Sequence, residues 1–233
     1  MPATVYLIPT TIDEESLHTI PAYVLDAVKD CQAFFTENER TARRFLKRMW
    51  KEMVIDDYAW FTIHKAEKEV VGSFRQLLKE GKNIGILSEA GCPGIADPGQ
   101  LLAAAAHEAG AIVKPLVGPS SVLLALMGSG LNGQRFQFIG YLPIDSGERI
   151  KALRELEAES QRKNCTQVFI ETPYRNNQLL ETIVKTCSPS ALLCIAANLT
   201  AASESIQTKR IGEWKKGLPD LHKQPVIFCL LGH

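Results

Sequence analysis

The chain lacks an excess of charge of either sign: 26 Lys and Arg stand against 26 Asp and Glu. A strongly basic or acidic balance would point to nucleic acid or a membrane surface through the summed field of the protein. That signal is missing, and only a local patch can supply it. No apolar run approaches the roughly 18 residues a membrane-spanning helix needs, so no membrane partner is expected. The six cysteines contain no C-x-x-C pair, and the five histidines are not spaced as zinc ligands, so no metal is expected. Most cysteines stand in apolar runs such as Leu192-Leu193-Cys194-Ile195 and Ile227-Phe228-Cys229-Leu230. That is the setting of reduced core thiols in a cytoplasmic protein. The first residues show no basic segment followed by an apolar one, and no signal peptide is expected. Internal repeats and low-complexity segments are also lacking.

What is present is an alternation. A length of 233 residues allows one large domain or two small ones. In the first half, short apolar runs (4–8, 33–36, 58–63, 84–87, 111–116) alternate with stretches of helical spacing (17–29, 39–51, 65–80, 100–106). Strands that alternate with helices imply a mostly parallel sheet covered on both faces. Beyond Gly118 the texture changes. Strand-like segments at 136–139, 167–170, 191–196, 204–208 and 226–231 are interspersed with helices at 122–127, 146–163 and 177–187. The second half reads as a mixed α+β sheet with antiparallel pairing. The boundary is placed at Gly118, giving domains 1–117 and 118–233.

The most informative stretch is Ser88-Glu89-Ala90-Gly91-Cys92-Pro93-Gly94-Ile95-Ala96-Asp97-Pro98-Gly99. It follows the apolar run Ile84-Gly85-Ile86-Leu87 and precedes a helix. Gly lets backbone approach a ligand closely and Pro fixes the path of a loop. In open α/β sheets ligands bind beyond the carboxyl ends of strands, where this loop lies. A tight structural turn is the alternative for this loop alone. A second feature is a basic run over Arg40, Arg43, Arg44, Lys47, Arg48 and Lys51. On a helix, all of these except Arg43 share one broad face, which suits either phosphates or plain solvation.

Five motifs in series resemble the tetrapyrrole methylase superfamily, in particular the ribosomal small-subunit RNA methyltransferase I family. The family's S-D-A-G-T-P-x-I-S-D-P-G is matched by the 88–99 loop. Its G-P-S-A is matched by Gly118-Pro119-Ser120-Ser121, and its F-x-G-F-L-P by Phe138-Ile139-Gly140-Tyr141-Leu142-Pro143. Its Y-E-S-P-H-R is similar to the segment from Phe169 to Arg175, and its R-E-L-T to Ala197-Asn198-Leu199-Thr200. Departures fall on loops. The family's T-P-I-G-N-L is replaced by Pro9-Thr10-Thr11-Ile12-Asp13-Glu14, and E-D-T-R by Glu37-Asn38-Glu39-Arg40. The loop Asp becomes Glu89, the His before Arg175 becomes Tyr174, and typical members carry a further C-terminal segment.

The resemblance implies a two-domain tetrapyrrole-methylase-like α/β fold with S-adenosylmethionine (SAM) in the interdomain cleft. It implies methyl transfer to an oxygen of RNA, a ribosomal 2'-hydroxyl of the small subunit being favoured, by a homodimer. Carried over by position, the SAM contacts are Pro9, Gly91, Cys92, Pro93, Gly94 and Ile95 in the first domain. They continue with Gly118, Ser120, Ser121, Ile170, Ala197, Leu199 and Val226. Ordinary core packing is the alternative for the last four. An alcohol acceptor benefits from a base. Glu37, His64, Glu89 and Glu171 are candidates, of which Glu37 and Glu171 match family positions. Arg40, Arg44 and Arg48 are candidate RNA contacts. Two other readings stay open: methylation of a corrin, porphyrin precursor or other small molecule, and SAM binding without catalysis.

Overall fold

The computed structural model describes residues 2–63 and 67–233. The chain forms two compact units, Met1–Ser120 and Ser121–His233.

In the first unit five strands form one parallel sheet: β1 (Thr4–Ile8), β2 (Ala33–Thr36), β3 (Ala59–Thr62), β4 (Ile84–Leu87) and β5 (Ile112–Pro115). Their order is β3-β2-β4-β1-β5. Helices α1 (Val24–Asp30) and α2 (Glu39–Met49) cover one face, packing Val24, Val28 and Leu46 on Tyr6, Ile8 and Phe34. Helices α3 (Glu67–Lys79) and α4 (Gln100–Glu108) cover the other, packing Phe74, Leu78 and Leu102 on Val5, Phe35, Ile84 and Ile86. Alternate residues of one strand thus serve opposite cores, which is why the central strands read as unbroken apolar runs. Fully burying a side chain such as Phe34 or Phe35 contributes about 1.5–3 kcal/mol.

Two helices of the first unit differ from the sequence reading in ways the residues explain. The expected helix over 17–29 divides into a short 3-10 turn, Leu17–Thr19, and α1, which starts at Val24. Pro21 lies between them, where a missing N–H and a fixed φ end the first turn. Helix α2 starts where expected because Asn38 accepts hydrogen bonds from the Arg40 and Thr41 amides. Asn is among the residues best suited to that cap. The helix stops at Met49, before the expected Lys51, with the Lys47 ammonium donating to the Lys51 and Met53 carbonyls beyond it.

The second unit carries a mixed sheet of β6 (Phe136–Tyr141), β7 (Thr166–Ile170), β8 (Leu192–Ala197), β9 (Ser205–Arg210) and β10 (Val226–Leu231). The order is β6-β7-β10-β8-β9, with β6 parallel to β7 and the remaining pairs antiparallel. Helix α5 (Ser121–Ser129) packs on one face, against Val168, Cys194, Ala196 and Ile227. Helices α6 (Ser146–Lys163), α7 (Asn176–Thr186) and α8 (Ile211–Trp214) cover the other, around Phe169, Ile195 and Phe228. The sequence reading held no counterpart of α8. Its short run is fixed by Glu213, whose carboxylate accepts from the Arg210 amide.

Candidate active site

In the first unit the chain leaves β1 toward α1 on one face and leaves the adjacent β4 toward α4 on the other. Neighbouring strands whose exits diverge open a crevice beyond their carboxyl ends. Three loops meet there. The Thr10 amide donates to the Gly91 carbonyl at 2.8 Å, joining the loop after β1 to the loop after β4. The Cys92 thiol donates to the Pro119 carbonyl at 3.5 Å, joining the second loop to the one after β5. Pro9 packs so closely on Gly118 that a Cβ there would lie 2.1 Å from Pro9 Cβ. Within the 88–99 loop the Gly94 amide donates to the Pro98 carbonyl, and Gly91, Gly94 and Gly99 have positive φ. Ala96 shares that left-handed region at φ 65°, a conformation that costs a non-Gly residue about 1 kcal/mol or more. Two large apolar side chains on these loops face outward, Ile95 at 54% exposure and Val117 at 70%.

Carboxylates gather at the same end of the sheet. Glu37 accepts from the Glu89 amide at 3.0 Å, and the Thr41 hydroxyl reaches a Glu89 oxygen at 3.4 Å. Burial, then the charges of Glu37 and Glu89, push the Asp97 carboxyl up to about 6. Its ionised form is therefore penalised in the folded protein. The expected outcome for Asp97→Asn is a gain of about 1 kcal/mol at pH 7.5, the full shift being discounted for partial exposure. Above pH about 6 that gain is complete. It fades as pH falls from about 6 to about 4, below which wild-type Asp97 is protonated in both states. Chemical denaturation at the two pH values measures it.

The part of the crevice between the first loop, α2 and Ser88-Glu89 holds about 170 Å³. Hydroxyls of Thr10, Thr11, Thr41 and Ser88 line it, and Phe45 adds an apolar surface. Its charged walls are Arg44 and Arg48 of α2, Glu14 of the first loop, and Glu89.

Each sequence candidate has a definite place. Pro9, Gly91, Cys92, Pro93, Gly94, Ile95, Gly118 and Ser120 lie on the three joined loops. The Cys92 side chain is spent on the loop-to-loop hydrogen bond. Ser121 opens α5. Ile170, Ala197 and Val226 share one end of the second sheet, since Ala197 pairs with Val226 and Ile170 with Ile227. Their side chains diverge, however. Ile170 and Leu199 join the core under α5, whereas Ala197 and Val226 join the core on the other face. Glu37 and Glu89 are together. Glu171 belongs to the second unit, with its side chain fully buried and one oxygen accepting from Arg175 at 2.7 Å and the Thr172 amide at 2.6 Å. Burial alone would push its carboxyl up, but those hydrogen bonds and the Arg175 charge outweigh it and hold it below the usual range. A carboxylate so committed is a poor proton acceptor. His64 lies outside the described residues.

The basic run divides. Arg44 and Arg48 enter the crevice, but Arg40 is not among its lining residues. Arg43 turns to Glu39 and the face of Trp60. Sequence reasoning missed Thr10, Glu14, Asp97 and Val117. Asp97 stood inside the matched 88–99 loop, Thr10 and Glu14 inside the departing first loop, and Val117 showed as an apolar residue between a strand end and Gly-Pro. Among the described residues no group of His, Cys, Asp and Glu is placed to hold a metal ion.

The chain matches a family model described as Tetrapyrrole (Corrin/Porphyrin) Methylases over residues 4–215. It is 31% identical over 232 residues to the ribosomal RNA small subunit methyltransferase I of Escherichia coli O157:H7, covering 98% of this chain and 77% of that protein. With the protein of the same name from Micromonospora olivasterospora it shares 30% over 212 residues, covering 90% and 64%. With that of Bacillus subtilis (strain 168) it shares 33% over 181 residues, covering 77% and 58%. The last two matches span less than two thirds of those relatives' length. Among solved structures, the methyltransferase CobJ superposes with a TM-score of 0.65 and the uroporphyrin-III-C-methyltransferase from Thermus thermophilus with 0.57. Each is 16% identical and covers 99% of this chain and 93% of its own, so the likeness is one of fold.

Proposed function

The chain belongs to the tetrapyrrole methylases and, within them, to the ribosomal RNA small subunit methyltransferase I family of SAM-dependent methyltransferases; from that premise we propose that it methylates an oxygen of RNA, foremost a ribosomal 2'-hydroxyl. The observation that carries the proposal is the crevice beyond β1 and β4, where a braced Gly/Pro loop stands beside two arginines.

The residues present fit SAM. Outward-facing Ile95 and Val117 offer apolar surface to an adenosine, and Gly91 and Gly94 leave backbone groups unscreened by a Cβ. Glu37, Glu89 and Asp97 set a negative field suited to a cation, whereas an anionic cofactor would be repelled. SAM supplies a methyl group on a positively charged sulfur. The protein's task is alignment, which accounts for most of the gain available to an in-line transfer. Arg44 and Arg48 orient an RNA backbone by its phosphates. Glu89, on the crevice wall with Glu37 beside it, is the carboxylate proposed to take the hydroxyl proton. Ser121, Ile170, Ala197, Leu199 and Val226 are proposed as further cofactor contacts by their match to family positions. Since Ala197 and Val226 turn their side chains into the core, they are proposed to contribute backbone groups.

The test is calorimetric titration with SAM, followed by incorporation of labelled methyl into small ribosomal subunits. Binding and transfer to RNA are expected. Transfer to a porphyrin or corrin precursor instead would replace the acceptor. Binding without transfer to any of these would favour a non-catalytic role. A protein that binds neither SAM nor its demethylated product would end the proposal. A homodimeric, cytoplasmic enzyme is part of the same proposal, and analytical ultracentrifugation reads the dimer. No helix among the described residues is long and apolar enough to cross a membrane.

A further inference from the structure

The two arginines of the crevice are already engaged. Arg44 Nε lies 3.1 Å from a Glu14 carboxylate oxygen. Arg48 donates to the Glu14 backbone carbonyl, and its guanidinium lies 3.9 Å from the Glu14 carboxylate and 3.6 Å from that of Glu15. One turn of α2 separates the arginines, so they form a fork of two guanidinium groups on one side of the crevice. Hydroxyls of Thr10, Thr11 and Thr41 line the same space. The Thr10 and Thr41 hydroxyls already donate to the Ser88 and Asn38 carbonyls. A pair of guanidinium groups is the donor set that phosphate oxygens take. A carboxylate held by the same groups imitates a phosphate in charge and geometry.

Glu14 is presented by a built turn. Asp13 accepts from the Glu15 amide through its side chain at 3.0 Å, and from the Ser16 hydroxyl and amide through its carbonyl at 2.7 and 3.1 Å. This Asx-type turn fixes the two residues that follow Asp13. It lies in the loop where this chain departs from the T-P-I-G-N-L pattern, and the acidic residues are part of that departure.

We propose that Arg44 and Arg48 form a phosphate subsite for the acceptor RNA strand and that Glu14 is its resident competitor, displaced when an RNA phosphate enters. The proposal rests on the RNA reading above and adds a selectivity device to it. A weakly placed polyanion fails to displace Glu14, while a strand that also fills the rest of the crevice succeeds. Exposed pairs of this kind are worth little individually. Displacement is therefore cheap enough to permit turnover, yet it lowers non-specific affinity.

The experiment measures fluorescence anisotropy of a labelled single-stranded oligoribonucleotide across a salt series. Wild type, Glu14→Gln, Arg44→Ala/Arg48→Ala and the triple variant are compared, with thermal unfolding confirming that each is folded. Glu14→Gln is expected to bind about three- to five-fold tighter. Its salt slope is expected to steepen by about 0.7, because neutralising the phosphate no longer frees a Glu14 carboxylate that takes up a cation in exchange. In the double-arginine background the same change is expected to do nothing. Equal affinity of wild type and Glu14→Gln overturns the subsite, as does equal tightening without the arginines, which would reduce Glu14 to a long-range charge. Labelled-methyl transfer to small-subunit RNA by wild type is read in parallel. Transfer with no Glu14 effect removes the subsite and leaves the RNA reading standing. No transfer and no oligonucleotide binding by any variant removes both.

Discussion

Gly118→Ala is expected to cost about 2–3 kcal/mol of stability and to weaken SAM binding at least ten-fold. The added Cβ would lie 2.1 Å from Pro9 Cβ and 2.4 Å from Pro9 Cγ. A proline ring cannot swing aside as the end of a flexible chain does, so one of the two loops must move. Overpacking a closed contact costs about 1–3 kcal/mol, and the rigidity of the partner puts this site near the top of that range. Relief by displacing the loop after β5 would drag the Pro119 carbonyl from the Cys92 thiol and so disturb the 88–99 loop. Urea unfolding and SAM calorimetry on the same variant read the two effects. A variant with full stability and unchanged SAM affinity would show that the loop contact does not govern the site.

Arg175→Met is expected to lower Tm at pH 7 by about 5–10 °C, because it strands the buried Glu171 carboxylate. Glu171 keeps the amide of Thr172 but loses its charged partner. Burial, at present outweighed, then decides, and its carboxyl moves above the usual range. The pH dependence follows with its sign. In wild type the stabilisation from Glu171 is complete above the ordinary carboxyl pKa of about 4.3 and is lost as pH falls through its lower folded value. In the variant, protonation relieves the stranded charge, so the deficit shrinks as pH falls toward 4. Combining Arg175→Met with Glu171→Leu is expected to recover most of the loss, because a buried pair is often replaceable by apolar residues. A melting curve at pH 4 and pH 7 for both variants settles it.

The layer architecture was legible because its signal is local. Runs such as Ile84-Gly85-Ile86-Leu87 are continuously apolar since both faces of that sheet are covered, and Gly and Pro punctuate the loops between them. Helix ends were less legible. The spacing over 17–29 did not show that Pro21 would split the stretch or that the chain would resume helix only at Val24. The four residues of α8 are too few to show a helical period. The face of α2 was drawn too broadly. Each four-residue step advances about 40° beyond a full turn, so Arg40 stands about 80° from Arg48 and misses the crevice that Arg44 and Arg48 enter. The assembly of the crevice was invisible for another reason. Thr10 and Gly91 are 81 residues apart, and no periodicity encodes a hydrogen bond between two loops. At the end of the second sheet, the family resemblance grouped Ile170, Ala197, Leu199 and Val226 as cofactor contacts. Only the pleat reveals that their side chains part to opposite faces.

The bridge from Thr10 to Gly91 also divides the first loop into two stretches with different freedom to diverge. Up to Thr10 the chain is bound to its neighbours: Pro9 is wedged against Gly118, and the Thr10 amide is held by Gly91. A substitution there is felt in two other loops at once. From Ile12 to Glu15 the chain is held by its own turn and by the arginines of α2, neither of which belongs to the loops after β4 and β5. This half can drift in sequence while the other stays put. A lineage can therefore retune what enters the crevice by rewriting four residues, leaving the scaffold of the 88–99 loop inherited intact.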